Sequence, residues 1–298
     1  MLSTVSDVRI AQHWPDGAGG GDVMLALHAR RSADSVQAWA GRRGAQGLAV
    51  VLTGTDLYHD IAADPQAQRS LDLAGRLVVL QELGLDALPA ALRGKARVIY
   101  QSATRLPPAS KDDGLIQAVM VGHLRDVKSP RTLFDAARLL SGRDDIRIEH
   151  IGAALEPGLG EQAQATQRDC PGYRWLGALP HEETRERIRQ AHVLVHASAM
   201  EGGAHVVMEA VCSATPVLAS RVPGNVGMLG ANYEGYFEHG DARGLADLLL
   251  ACRHGQQAPT PAVLRRLGAQ CALRAPLFAP EAERAALLRL VAELMDTR

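Results

Sequence analysis

Residues 116–130 read Ile-Gln-Ala-Val-Met-Val-Gly-His-Leu-Arg-Asp-Val-Lys-Ser-Pro, and this stretch indicates how the chain folds. The apolar run Ile116–Val121 is typical of a buried strand, and Ser129 and Pro130 are typical of a helix N-cap and first helical position. Between them lie two cations three residues apart. A doubly wound parallel sheet builds phosphate sites from such a strand, basic loop and helix N-terminus. Two solvated loop charges are the alternative interpretation.

The same alternation of β-branched runs and amphipathic helical patterns extends to both sides, which indicates parallel α/β architecture. We predict strands at Asp22–Ala29, Leu48–Thr53, Arg76–Leu80, Arg97–Gln101, Ile116–Val121, Ile146–Ile151, Tyr173–Leu176, Val193–His196, Pro216–Ala219 and Gly235–Glu238. We predict helices at Ser32–Gly41, Pro65–Ala74, Leu85–Arg93, Pro130–Leu140, Pro157–Cys170, Glu182–Ala191, Ala204–Ser213, Asp241–Arg253, Pro261–Leu273 and Glu281–Met295.

The predicted fold is two doubly wound Rossmann-like domains, with ligands at the carboxyl ends of the strands in the cleft between them. The aperiodic segment Ala103–Asp113 is the predicted linker. We therefore expect an N-terminal domain over residues 1–107 and a C-terminal domain over residues 108–279, with a last helix at about residues 280–298 that packs back on the first domain. The first domain is short by one strand–helix unit, and a strand at Asp7–Gln12 would lie at its edge.

The composition excludes several classes of protein. Of 298 residues, 47% are hydrophobic and 22% are charged, which is enough apolar content for a sizeable core and excludes disorder. No apolar run approaches the roughly 20 residues that span a bilayer. Because 32 basic residues stand against 33 acidic ones, the net charge of -1 argues against a general binder of nucleic acid or anionic membranes.

The N-terminal ten residues have neither a basic region nor a long apolar one, so we expect no signal peptide. Four cysteines without CxxC spacing argue against a disulfide framework or a zinc site and fit a reducing cytoplasm. The chain has no GxSxG, Walker A or HExxH motif. The oligomeric state is open.

A second segment with chemical potential, Met200–Ala210, follows the predicted strand Val193–His196. Gly202 and Gly203 are predicted to open a helix, so their N–H groups would face a phosphate. Glu201 and Glu209 are eight residues apart, and a carboxylate pair accepts hydrogen bonds from sugar or ribose hydroxyls. A capping acid and a helix-surface acid are the plainer interpretations. A third segment, Pro223–Gly230, is dense in glycine and is predicted to be a loop after the strand Pro216–Ala219. Gly224 and Asn225 in this loop would permit close approach to a ligand; an ordinary turn is the alternative.

The predicted first domain offers two strand ends with polar side chains. Residues 28–31 place His28, Arg30 and Arg31 at the end of one strand, and residues 53–58 place Thr53, Gly54 and Asp56 at the end of the next. The cations and the carboxylate would face one ligand site; alternatively, one arginine is solvated and Asp56 caps the following turn. Gln101 and Ser102 are weaker candidates.

These segments together resemble the retaining GT-B glycosyltransferases of family four, through Gly-x-Leu-Arg-x-x-Lys at residues 122–128 and Glu-x7-Glu at residues 201–209. The resemblance implies that Arg125 and Lys128 bind the donor diphosphate. It implies that Glu201 meets the donor sugar and Glu209 the ribose, with Gly122, Gly202 and Gly203 around the phosphates. We expect no metal, since the sequence has no DxD-like acidic cluster and the two cations can take the place of one.

A narrower resemblance, from residue 22 onward, is to the selenosugar synthases of selenoneine biosynthesis. It rests on residues 26–32, 53–58, 97–102, 201–209 and 223–227. It implies that selenophosphate and a UDP-sugar, UDP-GlcNAc or UDP-glucose, form a carbon–selenium bond with release of UDP, and that His28, Arg30 and Arg31 hold the selenophosphate. Selenosugar synthases usually begin with one more strand, Gly-rich loop and helix than this sequence has before residue 22.

Three other functions are alternatives to the transfer of a sugar to selenophosphate. They are a transferase with a hydroxyl acceptor, a sugar epimerase and a non-catalytic nucleotide-sugar-binding protein.

Overall fold

The computed structural model describes residues 1–17, 20–257 and 262–296. It divides into two compact units. The first comprises Met1–Ser102, Glu201–Gly203 and Leu277–Arg298, and the second comprises Ala103–Met200 and Ala204–Pro276. The first residue of the helix predicted at Pro261–Leu273 lies outside the described residues.

The first unit is built on a four-stranded parallel sheet in the order β1-β2-β3-β4. Its strands are β1 (Met24–Leu27), β2 (Leu48–Leu52), β3 (Arg76–Val79) and β4 (Ala96–Val98). Its helices are α1 (Ala33–Arg43), α2 (Ile61–Ala63), α3 (Pro65–Leu73) and α11 (Pro280–Asp296). The sheet is therefore covered by elements from two distant parts of the chain.

Side chains alternate across this sheet, so each face has its own apolar layer. On one face Trp39 of α1 and Leu71 of α3 pack with Val50 of β2. On the other face Leu290 and Leu294 of α11 pack with apolar residues in the strands or directly after them. These residues are Ala49, Val78, Leu80 and Ile99. The first unit is thus a three-layer α/β/α structure.

Charged groups tie α11 to the sheet. Glu293 accepts hydrogen bonds from Arg76 at 2.8 Å and from Arg97 at 3.0 Å, one arginine from β3 and one from β4. The carboxylate of Glu283 accepts from the main-chain N–H of Ser102 at 2.8 Å. The hydrogen bonds from Arg97 and Arg76 lower the pKa of Glu293, so it stays ionised at neutral pH.

The second unit is built on a six-stranded parallel sheet in the order β10-β9-β8-β5-β6-β7. Its strands are β5 (Ile116–Val121), β6 (Ile146–Ile151), β7 (Tyr173–Gly177), β8 (Val193–His196), β9 (Val217–Ser220) and β10 (Tyr236–Phe237). The order runs outward in both directions from the β5–β8 pair, which is the Rossmann arrangement with its topological switch point between those strands. The central strand β8 is buried along its whole length, as strands covered on both faces are.

Seven helices of the described residues connect and follow these strands. They are α4 (Pro130–Leu139), α5 (Leu159–Asp169), α6 (His181–Gln190), α7 (His205–Cys212), α8 (Pro223–Leu229), α9 (Ala242–Gln257) and α10 (Ala262–Arg274). Among the described residues, no helix has both the length and the apolarity that crossing a membrane requires.

Several predictions of secondary structure are wrong. The helix expected at Leu85–Arg93 is two short 3₁₀ turns, Glu82–Leu85 and Ala90–Lys95, because Pro89 interrupts the pattern and cannot donate a helical hydrogen bond. The strand expected at Asp7–Gln12 is absent: these residues are exposed, and Ile10 is 96% exposed.

The third wrong prediction is the loop at Pro223–Gly230, most of which is α8. Pro223 occupies the first turn, where its missing N–H costs nothing. Met228 and Leu229 are buried, and their burial outweighs the weak helix propensity of the glycines. Tertiary packing therefore decides this segment.

Asp145 lies directly before β6 and is bound by two arginines. It accepts hydrogen bonds from Arg143 at 2.8 Å and from the buried Arg253 of α9 at 2.9 Å. Burial raises the pKa of Asp145, but the hydrogen bond from Arg143 has a larger, opposite effect. Together with the hydrogen bond from Arg253, it lowers the pKa of Asp145 to about 2. A depressed folded-state pKa stabilises the protein above the unfolded pKa of about 4, and this contribution is lost as the pH falls towards 2.

We expect Asp145→Asn to flatten the dependence of the unfolding free energy on pH between about pH 4 and pH 2. Urea denaturation across that range measures the slope. The exposed neighbour Asp144 provides the matched control, since Asp144→Asn should leave the wild-type slope unchanged. A wild-type slope in Asp145→Asn would contradict the assignment.

Candidate functional site

The carboxyl ends of β5 and β8 meet at the switch point of the second unit, and the loops that follow them are joined. The N–H of Ala199, after β8, donates to the carbonyl oxygen of Val127, after β5, at 2.9 Å. The N–H of Asp126 donates to Glu156, from the loop after β6, at 2.7 Å. The basic loop predicted from the sequence is therefore held at the place where open α/β sheets bind ligands.

Within this loop Lys128 lies over Gly122. A Cβ at Gly122 would sit 3.6 Å from Cγ of Lys128, so the aliphatic part of the lysine packs along the bare backbone of the glycine. Lys128 is half-buried, whereas Arg125 is exposed. The second unit thus brings together Gly122 and Lys128, two of the residues that the sequence singled out, at the start of a helix.

Helix α4 begins where the sequence predicts, but the predicted N-cap residue makes no capping hydrogen bond with its side chain. Ser129 is the N-cap of α4 and Pro130 its first residue, yet the Ser129 side chain makes no capping bond. Ser129 adopts φ 50° and ψ 50°, a left-handed conformation uncommon outside glycine. Its hydroxyl instead pairs with Nε2 of His239 at 2.8 Å. The first N–H groups of α4 therefore receive no bond from this side chain.

Glu209 lies on α7 and is buried, with 3% of its surface exposed. Its Oε1 is 2.7 Å from Nε2 of His181 and 3.4 Å from Nδ1 of His205. Nε of Arg185 lies 3.8 Å from the same oxygen. Burial raises the pKa of Glu209, but the hydrogen bonds to His205 and His181 outweigh it and leave the pKa below its ordinary value.

The sequence analysis missed His181 and Arg185 as neighbours of Glu209. His205 stands four residues before Glu209, a spacing that places both on one helix face, so the local pattern contains that contact. His181 and Arg185 come from α6, and only the packing of α6 against α7 brings them to the carboxylate. No signal in a single sequence indicates that contact.

Glu201, Gly202 and Gly203 belong to the first unit. The prediction that the two glycines open a helix is wrong, because α7 begins at His205 with Ala204 as its N-cap. A side chain at Gly202 would overlap the carbonyl group of Thr53, so this glycine permits one backbone to pass close to another. Glu201 is half-buried.

Gly224 and Asn225 lie on α8 and are buried. The Asn225 side-chain amide donates to the carbonyl oxygen of Ser220 at 2.9 Å and lies 3.1 Å from its hydroxyl. Asn225 therefore ties α8 to β9. Its role in substrate binding, and that of Gly224, stays a prediction.

In the first unit Asp56 organises the two predicted strand ends. Its Oδ1 accepts from the N–H groups of Thr53 at 2.8 Å and Gly54 at 2.9 Å. Its Oδ2 accepts from the N–H of Ala29 at 2.9 Å. Asp56 is fully buried and begins a helical turn, Asp56–Asp60. The interpretation that Asp56 supports the local backbone fits this geometry.

His28 is buried and held in a left-handed conformation, with φ 72°. Its Nε2 is 3.1 Å from the hydroxyl of Thr55 and 3.8 Å from Oδ2 of Asp60, and its Nδ1 is 3.9 Å from Oδ2 of Asp56. Such strain in a non-glycine residue persists only where surrounding contacts enforce it, and it concentrates at functional sites.

The two arginines that follow His28, Arg30 and Arg31, differ in whether their guanidinium groups are bound by a carboxylate. Arg30 donates from Nε to Asp60 at 2.9 Å. Burial raises the pKa of Asp60, but the hydrogen bond from His59 and the charge and hydrogen bond of Arg30 outweigh burial and leave the pKa below its ordinary value. Arg31 is exposed, and its guanidinium has no hydrogen-bond or ion-pair partner among the described residues. Of the two, Arg31 is the cation open to a ligand.

Within the part of the chain that the structure describes, no group of three or more His, Cys, Asp or Glu side chains could hold a metal ion. The four cysteines are all buried as free thiols.

Comparison with known proteins places these features in a family. The family profile described as glycosyl transferases group 1 matches residues 104–259, more than half of the chain. A curated relative is "Glycosyltransferase 1 domain-containing protein 1" of Xenopus tropicalis, which is 26% identical over 108 residues. That alignment covers 36% of this chain and 31% of the relative, so the matched stretch is about a third of the relative's length.

Two solved structures show the fold. Sucrose-phosphate synthase from Thermosynechococcus elongatus has a TM-score of 0.75 at 18% identity, covering 93% of this chain and 74% of that one. HepE from Anabaena, in complex with UDP-glucose, has a TM-score of 0.69 at 15% identity, covering 91% and 79%. The predicted GT-B fold class, with two Rossmann-like parallel sheets, is confirmed. The chain belongs to the group 1 glycosyl transferases.

Proposed function

We propose that the protein transfers the sugar of a UDP-sugar, UDP-GlcNAc or UDP-glucose, to selenophosphate. The observation that carries the donor part is the loop at the switch point, where Lys128 packs over Gly122 directly before α4. A lysine, a neighbouring arginine and a helix N-terminus are complementary to a diphosphate. UDP-glucose bound to the similarly folded HepE supports a nucleoside diphosphate sugar as the donor.

The geometry of Glu209 supports its role at the ribose. All its contacts with His181, His205 and Arg185 are made by Oε1. Its Oε2 accepts no hydrogen bond from the described residues and is therefore available to ribose hydroxyls. Because the pKa of Glu209 is lowered, the group is a carboxylate at neutral pH and can accept hydrogen bonds at both oxygens.

The acceptor part rests on the resemblance and on the cations after β1. Selenophosphate is small and highly anionic, and Arg31 is an exposed guanidinium without a protein partner among the described residues. Arg30 already donates a hydrogen bond to Asp60, and in the proposed site it positions the residues that follow β1. We assign the acceptor anion to Arg31, with His28 beside it.

In the proposed reaction selenium attacks the anomeric carbon, the bond from that carbon to the diphosphate oxygen breaks, and UDP leaves with the electron pair. Arg125 and Lys128 stabilise the charge that develops on the leaving UDP, a kind of electrostatic assistance that is commonly the largest catalytic contribution. Glu201 contacts the donor sugar. Water then cleaves the selenium–phosphorus bond, which yields the selenosugar and phosphate. Selenium is a strong nucleophile, so the attack needs no strong general base.

One observation favours a second candidate, transfer to a hydroxyl acceptor. A hydroxyl must lose its proton as it attacks, and a histidine held by carboxylates is the usual general base. His28 stands 3.8 Å from Asp60 and 3.9 Å from Asp56. In this alternative His28 would be a catalytic base, whereas with selenophosphate it would only bind the anion.

UDP release from UDP-GlcNAc and UDP-glucose, measured by chromatography under anaerobic conditions, tests the proposal. We expect release that depends on selenophosphate and a product with the selenium isotope pattern by mass spectrometry.

Arg31→Ala should raise the KM for selenophosphate about tenfold, since a charged hydrogen bond is lost. Arg69→Ala, an exposed arginine on α3, is the matched control. Turnover with glucose or GlcNAc but not selenophosphate would establish the hydroxyl alternative, and UDP binding without turnover would contradict both.

A further inference from the structure

A cavity of about 540 Å³ lies at the amino edge of the sheet in the second unit, lined by the segment Pro108–Asp112 and by side chains at the starts of three strands. Gln117 comes from β5, Arg147 from β6, and His192 directly precedes β8. The switch-point loop follows the carboxyl end of β5, so this cavity is at the other edge of the same sheet. Its size falls within the usual range of small-molecule sites.

The lining carries an excess of positive charge. Lys111, Arg147 and Arg189 contribute cations, and Asp112 is the single carboxylate among the lining residues. Arg189 is paired with Glu186 at 2.7 Å. Neither Lys111 nor Arg147 has a hydrogen-bond or ion-pair partner among the described residues, and Lys111 is half-buried. Desolvation by burial lowers the pKa of Lys111 to about 8, which means that its ammonium group lacks a compensating anion.

His192 provides an independent observation. It is 5% exposed, and its Nδ1 accepts the N–H of Gln117 at 3.0 Å. Because that nitrogen is an acceptor, the neutral ring carries its proton on Nε2. Nε2 is buried and has no hydrogen-bond partner among the described residues. The main chain of Asp112 is near the ring and raises the pKa of His192, but Nε2 makes no contact with it that has hydrogen-bond geometry. The charges of Asp112 and Asp113 also raise this pKa. Burial and the charge of Lys111 outweigh these effects and lower it, so the ring stays neutral near pH 7.

A buried donor and a half-buried ammonium group without acceptors line one cavity, and an unpaired buried donor is costly. Both are satisfied by an oxygen-rich anion. We propose that this cavity binds a phosphate group, as inorganic phosphate or as the monoester of a small metabolite, between Lys111, Arg147 and Nε2 of His192. The site is separate from the switch-point loop and does not depend on the proposed transfer reaction.

The composition of the chain makes the test direct. The sequence has three lysines, Lys95, Lys111 and Lys128, so protein labelled with [ε-¹³C]lysine gives three side-chain NMR signals, assigned by single Lys→Arg variants. Inorganic phosphate and glucose 6-phosphate are titrated separately at constant ionic strength, with UDP present to occupy the nucleotide site. We expect a saturable shift of the Lys111 signal and a rise of its pKa. The probe with the lower dissociation constant identifies free phosphate or the monoester as the better ligand.

Lys95 is the internal reference, because its ammonium group already donates to the carbonyl oxygens of Leu71, Asp72 and Ala74. We expect Arg147→Ala and His192→Gln each to weaken binding about tenfold or more, as expected when a charged or buried hydrogen bond is lost. Arg174→Ala, an exposed arginine on β7 outside the cavity, should leave binding unchanged. A Lys111 signal that responds to both probes no more than to sodium chloride would overturn the proposal, as would full binding in Arg147→Ala.

Discussion

Replacing Lys128 by alanine is expected to lower kcat/KM for UDP release by about 10²–10³-fold, equivalent to roughly 2.7–4 kcal/mol of transition-state stabilisation. The lysine packs along Gly122 at the start of α4, and its charge has most value when negative charge develops on the leaving diphosphate. Alanine removes that charge and leaves the loop's main-chain hydrogen bond from Ala199 to Val127 in place. Initial rates over a range of donor concentrations measure the effect.

Arg131→Ala is the matched control. Arg131 is a cation on the first turn of the same helix, but its guanidinium is bound by Asp126 and Gln162. We expect that variant to retain kcat/KM within about threefold, as is usual for exposed ion pairs. Calorimetric titration with UDP gives a second readout that needs no acceptor, and Lys128→Ala should bind UDP at least about tenfold more weakly. Wild-type turnover in Lys128→Ala would remove the lysine from the site.

Replacing Asp56 by alanine is expected to lower the unfolding free energy of the first unit by about 4 kcal/mol. The carboxylate accepts from three main-chain N–H groups, those of Ala29, Thr53 and Gly54, and is fully buried. Each buried donor left without an acceptor costs about 1–3 kcal/mol, and the three are close enough for their costs to be less than additive. The loss would also release His28 and Thr53 from their positions.

Urea denaturation followed by tryptophan fluorescence measures this change. In a Trp175→Phe background the remaining tryptophans, Trp14 and Trp39, both belong to the first unit. Asp56→Asn keeps one acceptor oxygen and should lose about half as much, which preserves the test if the alanine variant does not fold. Asp86→Ala, at an exposed aspartate whose carboxylate lies 3.8 Å from Nη1 of Arg93, should change stability by less than about 0.5 kcal/mol. An unfolding free energy of Asp56→Ala near that of the wild type would contradict the assigned role.

The central sheet of the second unit was predictable because its signal is local. Ile116–Val121, Ile146–Ile151 and Val193–His196 have the predicted bounds, since fully buried parallel strands are continuous apolar runs bounded by turn residues. The position of the basic loop followed from those bounds. In the first unit the local pattern was weaker, and Pro89 divided an apolar periodicity that otherwise suits a helix.

What the sequence could not indicate depends on contacts between distant segments. The burial of Met228 and Leu229 makes a helix of a glycine-rich stretch, and no local propensity predicts that outcome. The approach of Gly202 to Thr53 and of His181 to Glu209 is likewise tertiary. Residue types at the site were therefore recognisable, whereas their hydrogen-bond partners were not.

The cover that α11 provides for the first sheet has a consequence for biosynthesis. Ala49, Val78 and Ile99 are made early, but Leu290 and Leu294, which pack against them, leave the ribosome only after the whole second unit has been translated. Until then one face of the sheet lacks its apolar partners, and Arg76 and Arg97 lack Glu293. Domains generally fold in order of synthesis, but here the unit that is begun first is completed last. A nascent chain that stalls before residue 280 would present an apolar sheet face to chaperones, while its second unit already holds every strand.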